Sequence, residues 1–111
     1  MVLKCVALLL IYSLFAERSA RADHLNAIPY YNIPAMCSRY QARRANDECV
    51  QMERSALQES RSLWRMLSES QREKCLNQMY KALNRGGLCY VVLAGCLQDE
   101  FEFTQWRADG R

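Results

Sequence analysis

Cysteine usage limits how this chain can fold more than any other feature. Beyond the first twenty residues the cysteines are Cys37, Cys49, Cys75, Cys89 and Cys96. Zinc-binding cysteine pairs normally lie about two to four residues apart. The gaps here are far wider, so the spacing favours disulfides. A domain this small buries a thin apolar core, and exported domains commonly compensate with disulfides.

Residues 1–22 have the composition of a cleavable secretory signal. Lys4 supplies a positive start, residues 5–15 are uncharged and apolar, and Ala20-Arg21-Ala22 fits an A-x-A cleavage site. The apolar run is too short for a bilayer, which needs about 20 residues. We therefore expect a mature chain that begins at Asp23, has no membrane span, and is secreted or periplasmic.

Cleavage also changes the charge. It removes Lys4, Arg18, Arg21 and Glu17, which lowers the formal net charge from +3 to +1. A nucleic-acid-binding protein normally carries a strongly basic surface. The charge therefore predicts that nucleic acid is not the partner.

Apolar residues recur at helical spacing in three segments, at about 44–67, 70–84 and 88–103. The first stacks five residues on one face: Cys49, Met52, Ala56, Leu63 and Leu67. Ser68 and Gln71 form a capping-box pattern before the second segment, and Gly86-Gly87 ends it. The pattern predicts an all-α fold.

The flanking residues complete the predicted organisation. Residues 23–35 carry both prolines and no helical period, which indicates an extended N-terminal arm. Residues 36–103 form the helical, disulfide-bonded domain, and residues 104–111 form a flexible tail. We expect a small disulfide-stapled bundle of about three helices.

Hairpin geometry favours one pairing of the cysteines. Cys75 and Cys96 are equidistant from the Gly-Gly turn, so they face each other in an antiparallel helical hairpin. Cys37–Cys49 would then join the segment that enters the long helix to the first turns of that helix. Each bond would stabilise the fold by about 3 kcal/mol on the chain-entropy estimate. The rival pairing, Cys37–Cys96 with Cys49–Cys75, stays open, because connectivity does not follow from sequence alone.

Cys89 is left as a free thiol. It follows the Gly-Gly turn at the start of a helix, where N–H groups and the helix dipole would stabilise a thiolate. One hypothesis is a reactive thiol, and another is an intermolecular disulfide that makes a dimer. The alternative is a cysteine with no special role.

The sequence offers no catalytic, cofactor-binding or metal-binding constellation. His24 is the sole histidine, which excludes histidine-dependent triads and multi-histidine zinc sites. The helical carboxylates lie in polar runs among arginines, and we interpret them as solvated: Asp47, Glu48, Glu53, Glu59, Glu69 and Glu73. We therefore expect a protein that is not an enzyme and has no cofactor.

A basic stripe is predicted on the long helix. At about 100° per residue, Arg43, Arg54, Arg61 and Arg65 fall within roughly 40° of each other, opposite the apolar face. Such a stripe could bind an anionic envelope component. Asp47 lies in the same stripe and dilutes its charge, and the alternative is an ordinary solvated helix face.

The cysteine frame resembles a group of small, uncharacterised exported proteins of rhizobia and related alphaproteobacteria. The likeness spans about residues 37–100 and rests on Cys37-x11-Cys49, Arg72-x-x-Cys75, Gly86-Gly87, Tyr90 and Cys96-Leu97. That group has serine at the position of Cys89. The resemblance implies a periplasmic or secreted location and brings no activity.

A second similarity is to the LprI-type family of envelope proteins that inhibit lysozyme. Six residues match its pattern in order: Trp64, Arg72, Cys75, Gly86, Gly87 and Cys96. The spacing from Trp64 to Arg72 departs from that pattern, so no inhibitory residue is carried over.

These observations predict a small secreted or periplasmic protein that is not an enzyme and is structural or protein-binding. Its partner would be an unidentified protein or an anionic envelope component. One alternative is a lysozyme-inhibitor-like envelope protein. Another is a thiol-active protein that uses Cys89.

Overall fold

The computed structural model describes residues 27–110. The predicted signal peptide, His24 and the start of the arm lie outside this range. The described residues contain four helices: α1 (Ile33–Cys37), α2 (Arg43–Trp64), α3 (Glu69–Asn84) and α4 (Cys89–Ala108). The predicted all-α fold is therefore confirmed.

The short helix α1 corrects the prediction that the arm is extended as far as residue 35. The Asn32 side chain accepts a hydrogen bond from the backbone N–H of Ala35 at 3.1 Å and caps the helix. Pro34 lies in the first turn, where its missing N–H has no helical partner to lose. The proline that indicated an extended arm thus belongs to a helix start.

The predicted boundary between α2 and α3 is nearly right. α2 ends at Trp64, three residues before the predicted end, and Leu67 is buried in the connecting turn. Ser68 and Gln71 form the capping box at the start of α3. At the other end of α3, Gly86 has a φ of +73°, a left-handed conformation that glycine adopts easily.

α4 is the central helix, since it packs against both α2 and α3. Its buried residues therefore cover more than one stripe: Cys89, Tyr90, Leu93, Ala94, Cys96 and Leu97. A helix that is apolar on most sides is typically enclosed by its neighbours. α1 completes the fold by packing against α2.

The predicted flexible tail is wrong as far as Ala108, because α4 continues to that residue. Side chains of α3 contact α4 as far as Thr104. Gln71 donates to the hydroxyl of Thr104 at 2.9 Å, and Lys74 forms an ion pair with Glu100. Helical spacing of apolar residues marks buried positions, so it missed residues 104–108, which are all exposed.

Two disulfides join the elements: Cys37–Cys49 links α1 to α2, and Cys75–Cys96 links α3 to α4. Their Cα atoms lie 5.7 and 5.5 Å apart. This is the pairing that hairpin geometry favoured. The rival pairing, Cys37–Cys96 with Cys49–Cys75, is not formed. All four cysteines of these disulfides are buried in the core.

Within residues 27–110, none of the helices combines the length and the apolar character that crossing a bilayer requires.

Candidate functional site

Glu53 is a buried carboxylate at the middle of α2. Its side chain is wholly buried and accepts hydrogen bonds from the backbone N–H groups of Tyr90 at 2.9 Å and Val91 at 3.2 Å. The first N–H groups of a helix have no partner within the helix. The N-cap residue of α4 is Leu88, whose side chain has no atom that could accept a hydrogen bond from these N–H groups. Glu53 therefore caps α4 from a neighbouring helix, where the helix dipole also favours negative charge.

This position corrects the interpretation of Glu53 as a solvated carboxylate. Its neighbours in sequence, Met52 and Arg54, are exposed, so the local sequence looks polar. However, Glu53 lies four residues after Cys49 and three before Ala56, both buried on the same face of α2. That spacing was the signal that could have placed it in the core.

Tyr90 joins α4 to the arm. Its hydroxyl donates to the carbonyl oxygen of Pro29 at 2.7 Å and accepts from the backbone N–H of Tyr31 at 2.7 Å. Burial raises the pKa of Tyr90 to about 12, although the hydrogen bond from Tyr31 acts in the opposite direction. The Tyr90 phenol thus stays protonated and holds residues 29–31 against the helix.

Cys89 is buried beside this carboxylate, and the prediction of a stabilised thiolate is wrong. Its Sγ lies 3.6 Å from Oε2 of Glu53 and 3.6 Å from Sδ of Met36. Burial, and then the charge of Glu53, raise the pKa of the thiol to about 12. Backbone N–H groups of Cys89 and Tyr90 act in the opposite direction, but burial and Glu53 outweigh them.

The burial of Cys89 also bears on the predicted dimer. The residue has no exposed surface in this conformation, and Met36 lies against its sulfur. A disulfide to a second chain would require α1 to move away. The structure therefore gives no accessible sulfur for that bond at Cys89.

α2 and α4 leave an open groove of about 610 Å³ between them. We call its apolar or small lining residues the floor: Met52, Ala56, Val91, Ala94 and Gly95. Its edges are polar: Glu48, Gln51, Ser55, Glu59 and Gln98. We call this feature the α2/α4 groove.

Gly95 is the reason for part of the groove's depth. It lies within α4 and is exposed, and no atom lies within 4 Å of the place where a Cβ would be. A larger residue would therefore occupy open space. Met52 lies on the apolar face of α2, lines the same groove and is half exposed.

The four arginines of the predicted stripe are all exposed along α2. The two ion pairs found in residues 27–110 involve other residues, Arg44–Glu48 and Lys74–Glu100. On the helical period, Glu48 and Glu59 lie roughly 100° or more around α2 from the stripe. α2 therefore carries a basic stripe and, beside the groove, an acidic edge.

The rest of the described surface offers little chemistry. Among residues 27–110 no cluster of three or more His, Cys, Asp or Glu side chains could hold a metal ion. Phe103 and Trp106 stack near the end of α4 with ring centroids 6.1 Å apart, and both are about half exposed. The α2/α4 groove is a concave surface lined by residues of both α2 and α4.

Comparison with protein-family models, with curated proteins and with solved structures finds no match to this chain. The likenesses to exported rhizobial proteins and to the LprI-type family therefore stay predictions.

We expect Glu53→Gln to lower the free energy of unfolding by about 2 kcal/mol, measured by urea denaturation. An amide of the same shape turns one N–H donor toward the backbone donors of α4, so a buried N–H loses its acceptor. Glu73→Gln is the matched control, because Glu73 is exposed on α3. Its effect should stay within about 0.5 kcal/mol. Equal losses in the two variants would contradict the capping role of Glu53.

We expect Cys89 to resist alkylation by iodoacetamide at mildly alkaline pH in the folded protein. The thiolate is the reacting species, and a pKa of about 12 instead of 9.0 leaves on the order of a thousandfold less of it. Labelling is followed by mass spectrometry without reductant, so that the disulfides stay closed. The same protein in concentrated guanidinium chloride should be labelled readily. Equally fast labelling in the folded protein would contradict this burial.

Proposed function

We propose that this chain is an exported, non-enzymatic protein whose function is to bind another protein through the α2/α4 groove. The groove carries the proposal, because it is apolar at its floor, polar at its edges and unfilled by the described chain. Protein-binding surfaces commonly combine an apolar centre with a polar rim. The groove has no buried titratable group within it, and its lining carboxylates Glu48 and Glu59 are exposed.

Export is supported by residues 1–22 and by the disulfides. The N-terminal residues match a cleavable secretory signal in charge, apolar run and cleavage site. Intramolecular disulfides such as Cys37–Cys49 and Cys75–Cys96 persist mainly in oxidising compartments. We therefore propose a secreted or periplasmic location.

The arginine stripe gives a second candidate partner, an anionic envelope component. Its support is that the four side chains are exposed and belong to neither ion pair of residues 27–110. The thiol-active alternative loses support, because Cys89 is buried and its pKa is raised. Lysozyme inhibition stays a prediction of the sequence resemblance, since no described contact favours it.

Mass spectrometry of the protein recovered outside the cytoplasm of its own cells tests export. We expect a mature N-terminus at Asp23 and a mass reduced by the hydrogens of two disulfides. Peptide mapping without reductant should return the two linked pairs. A cytosolic protein that keeps residues 1–22 and reduced cysteines would contradict the proposal.

Site-specific photo-cross-linking in those cells tests protein binding. The photoreactive amino acid benzoylphenylalanine replaces Met52 in the groove or, as a control, Asn77 on the exposed face of α3. We expect irradiation to give a covalent adduct with another protein from position 52 and none from position 77. The absence of an adduct at position 52, or equal adducts from both, would count against the groove as a binding site.

A further inference from the structure

We propose that the partner segment that fills the α2/α4 groove is a basic amphipathic helix. This inference rests on the proposed function and adds the chemistry of the partner. It follows from the dimensions of the groove, the size of its floor residues and the charge of its edges.

The groove has the length of a short helix. Its lining runs from Glu48 to Glu59 on α2 and from Val91 to Gln98 on α4. At 1.5 Å per residue, these spans are about 16 and 10 Å, or two to three helical turns. A groove between two helices offers parallel ridges, into which the side chains of a third helix can pack.

The floor of the groove allows a close approach. Ala56, Ala94 and Gly95 have little or no side chain, so the backbones of α2 and α4 lie near the surface there. Packed helices need an interaxial distance of about 8–10 Å, which small residues at the contact favour. Met52 and Val91 supply the larger apolar contacts for residues spaced three and four apart on the partner.

The α2 edge of the groove carries two carboxylates. Glu48 and Glu59 lie along the α2 side, and no lysine or arginine is among the lining residues. On α4, Gln98 donates a hydrogen bond to Glu102 at 3.1 Å. A third carboxylate therefore lies one helical turn beyond the lining residue Gln98. Arg44 pairs with Glu48, but both side chains are largely exposed, at 92% and 62%, so this pair is weak. Lysine or arginine beside the apolar face of the partner would complement these charges.

The same features disfavour other occupants. A second copy of this chain that bound groove to groove would place carboxylates against carboxylates. An anionic lipid surface would meet the same negative edges. A small molecule normally fills a concave pocket that encloses most of its surface, whereas this groove is open along one side.

A synthetic peptide tests the proposal directly. The probe is a fluorescently labelled helical peptide of about four turns, with leucine and alanine on one face and lysine on both flanks of that face. Its binding to the full mature protein is measured by fluorescence anisotropy at several salt concentrations. The matched peptide has glutamate in place of every lysine. We expect the lysine peptide to bind in the micromolar range and the glutamate peptide to bind at least tenfold more weakly.

Variants of groove residues test whether the peptide binds at this surface. Gly95→Leu should weaken binding of the lysine peptide by about tenfold, because leucine fills the groove centre. Leucine also favours helix more than glycine does, so the variant should keep its fold. Glu48→Gln with Glu59→Gln should weaken binding several-fold and reduce its salt dependence. Glu73→Gln on α3 and Arg54→Gln in the arginine stripe are the controls and should leave the affinity unchanged or, for Arg54→Gln, slightly improved.

Three results would overturn the proposal. One is equal affinity for the lysine and glutamate peptides, and another is undiminished binding by a folded Gly95→Leu variant. The third is a dimer in sedimentation that Gly95→Leu dissociates, which would assign the groove to self-association. If cross-linking at position 52 gives a protein adduct while the lysine peptide does not bind, the partner chemistry is wrong and protein binding stands. If neither experiment gives binding, both proposals fail.

Discussion

The fold depends on the contact between Glu53 and the first turn of α4. α4 is enclosed by α2 and α3, and its N-terminal end is covered by α1 and the arm. Water therefore cannot satisfy its first N–H groups, and an unsatisfied buried donor costs about 1–3 kcal/mol. No side chain at Leu88 can replace the lost water. The carboxylate of Glu53 supplies acceptors to both Tyr90 and Val91, so the central helix can begin inside the protein.

That carboxylate also determines the surroundings of its neighbours. Its negative charge adds to burial in raising the pKa of Cys89, so the thiol is held protonated against Met36. Tyr90 extends the same cluster to the arm through its hydroxyl. One polar cluster thus connects α2, α4, α1 and the arm. The disulfides join the other neighbouring elements: Cys37–Cys49 links α1 to α2, and Cys75–Cys96 links α3 to α4.

The surface of α2 divides by charge as a consequence of its packing. Its buried face includes Glu53 and meets α4, and the two sides that remain carry different residues. One side has the exposed arginines, and the other has the carboxylates that border the groove. A partner that reaches the groove therefore meets negative charge first, while the arginines face away from it. The division is partial, because Asp47 lies within the arginine stripe and Arg44 pairs with Glu48 beside the groove.

Much of the fold could be predicted from the sequence, because it follows from local rules. Helical spacing of apolar residues placed the long helix and the hairpin. The Ser68–Gln71 capping box and the glycines at 86 and 87 placed their ends. Equal distances from a tight turn favoured the pairing of Cys75 with Cys96. The short helix after Asn32 and the continuation of α4 to Ala108 were missed, since a proline obscured the first and residues 104–108 of the second are exposed.

The sequence by itself thus determined the three long helices and the turns between them, and it favoured one pairing of the cysteines, because these depend on residues near in the chain. Only the tertiary structure decided that Glu53 is buried, that Cys89 is protonated and shielded, and that Gly95 opens a groove. Each of these depends on which helix lies beside which, and residues 37 positions apart, such as Glu53 and Tyr90, meet only after folding. A carboxylate that looks solvated in sequence becomes a helix cap when the end of another helix is packed against it.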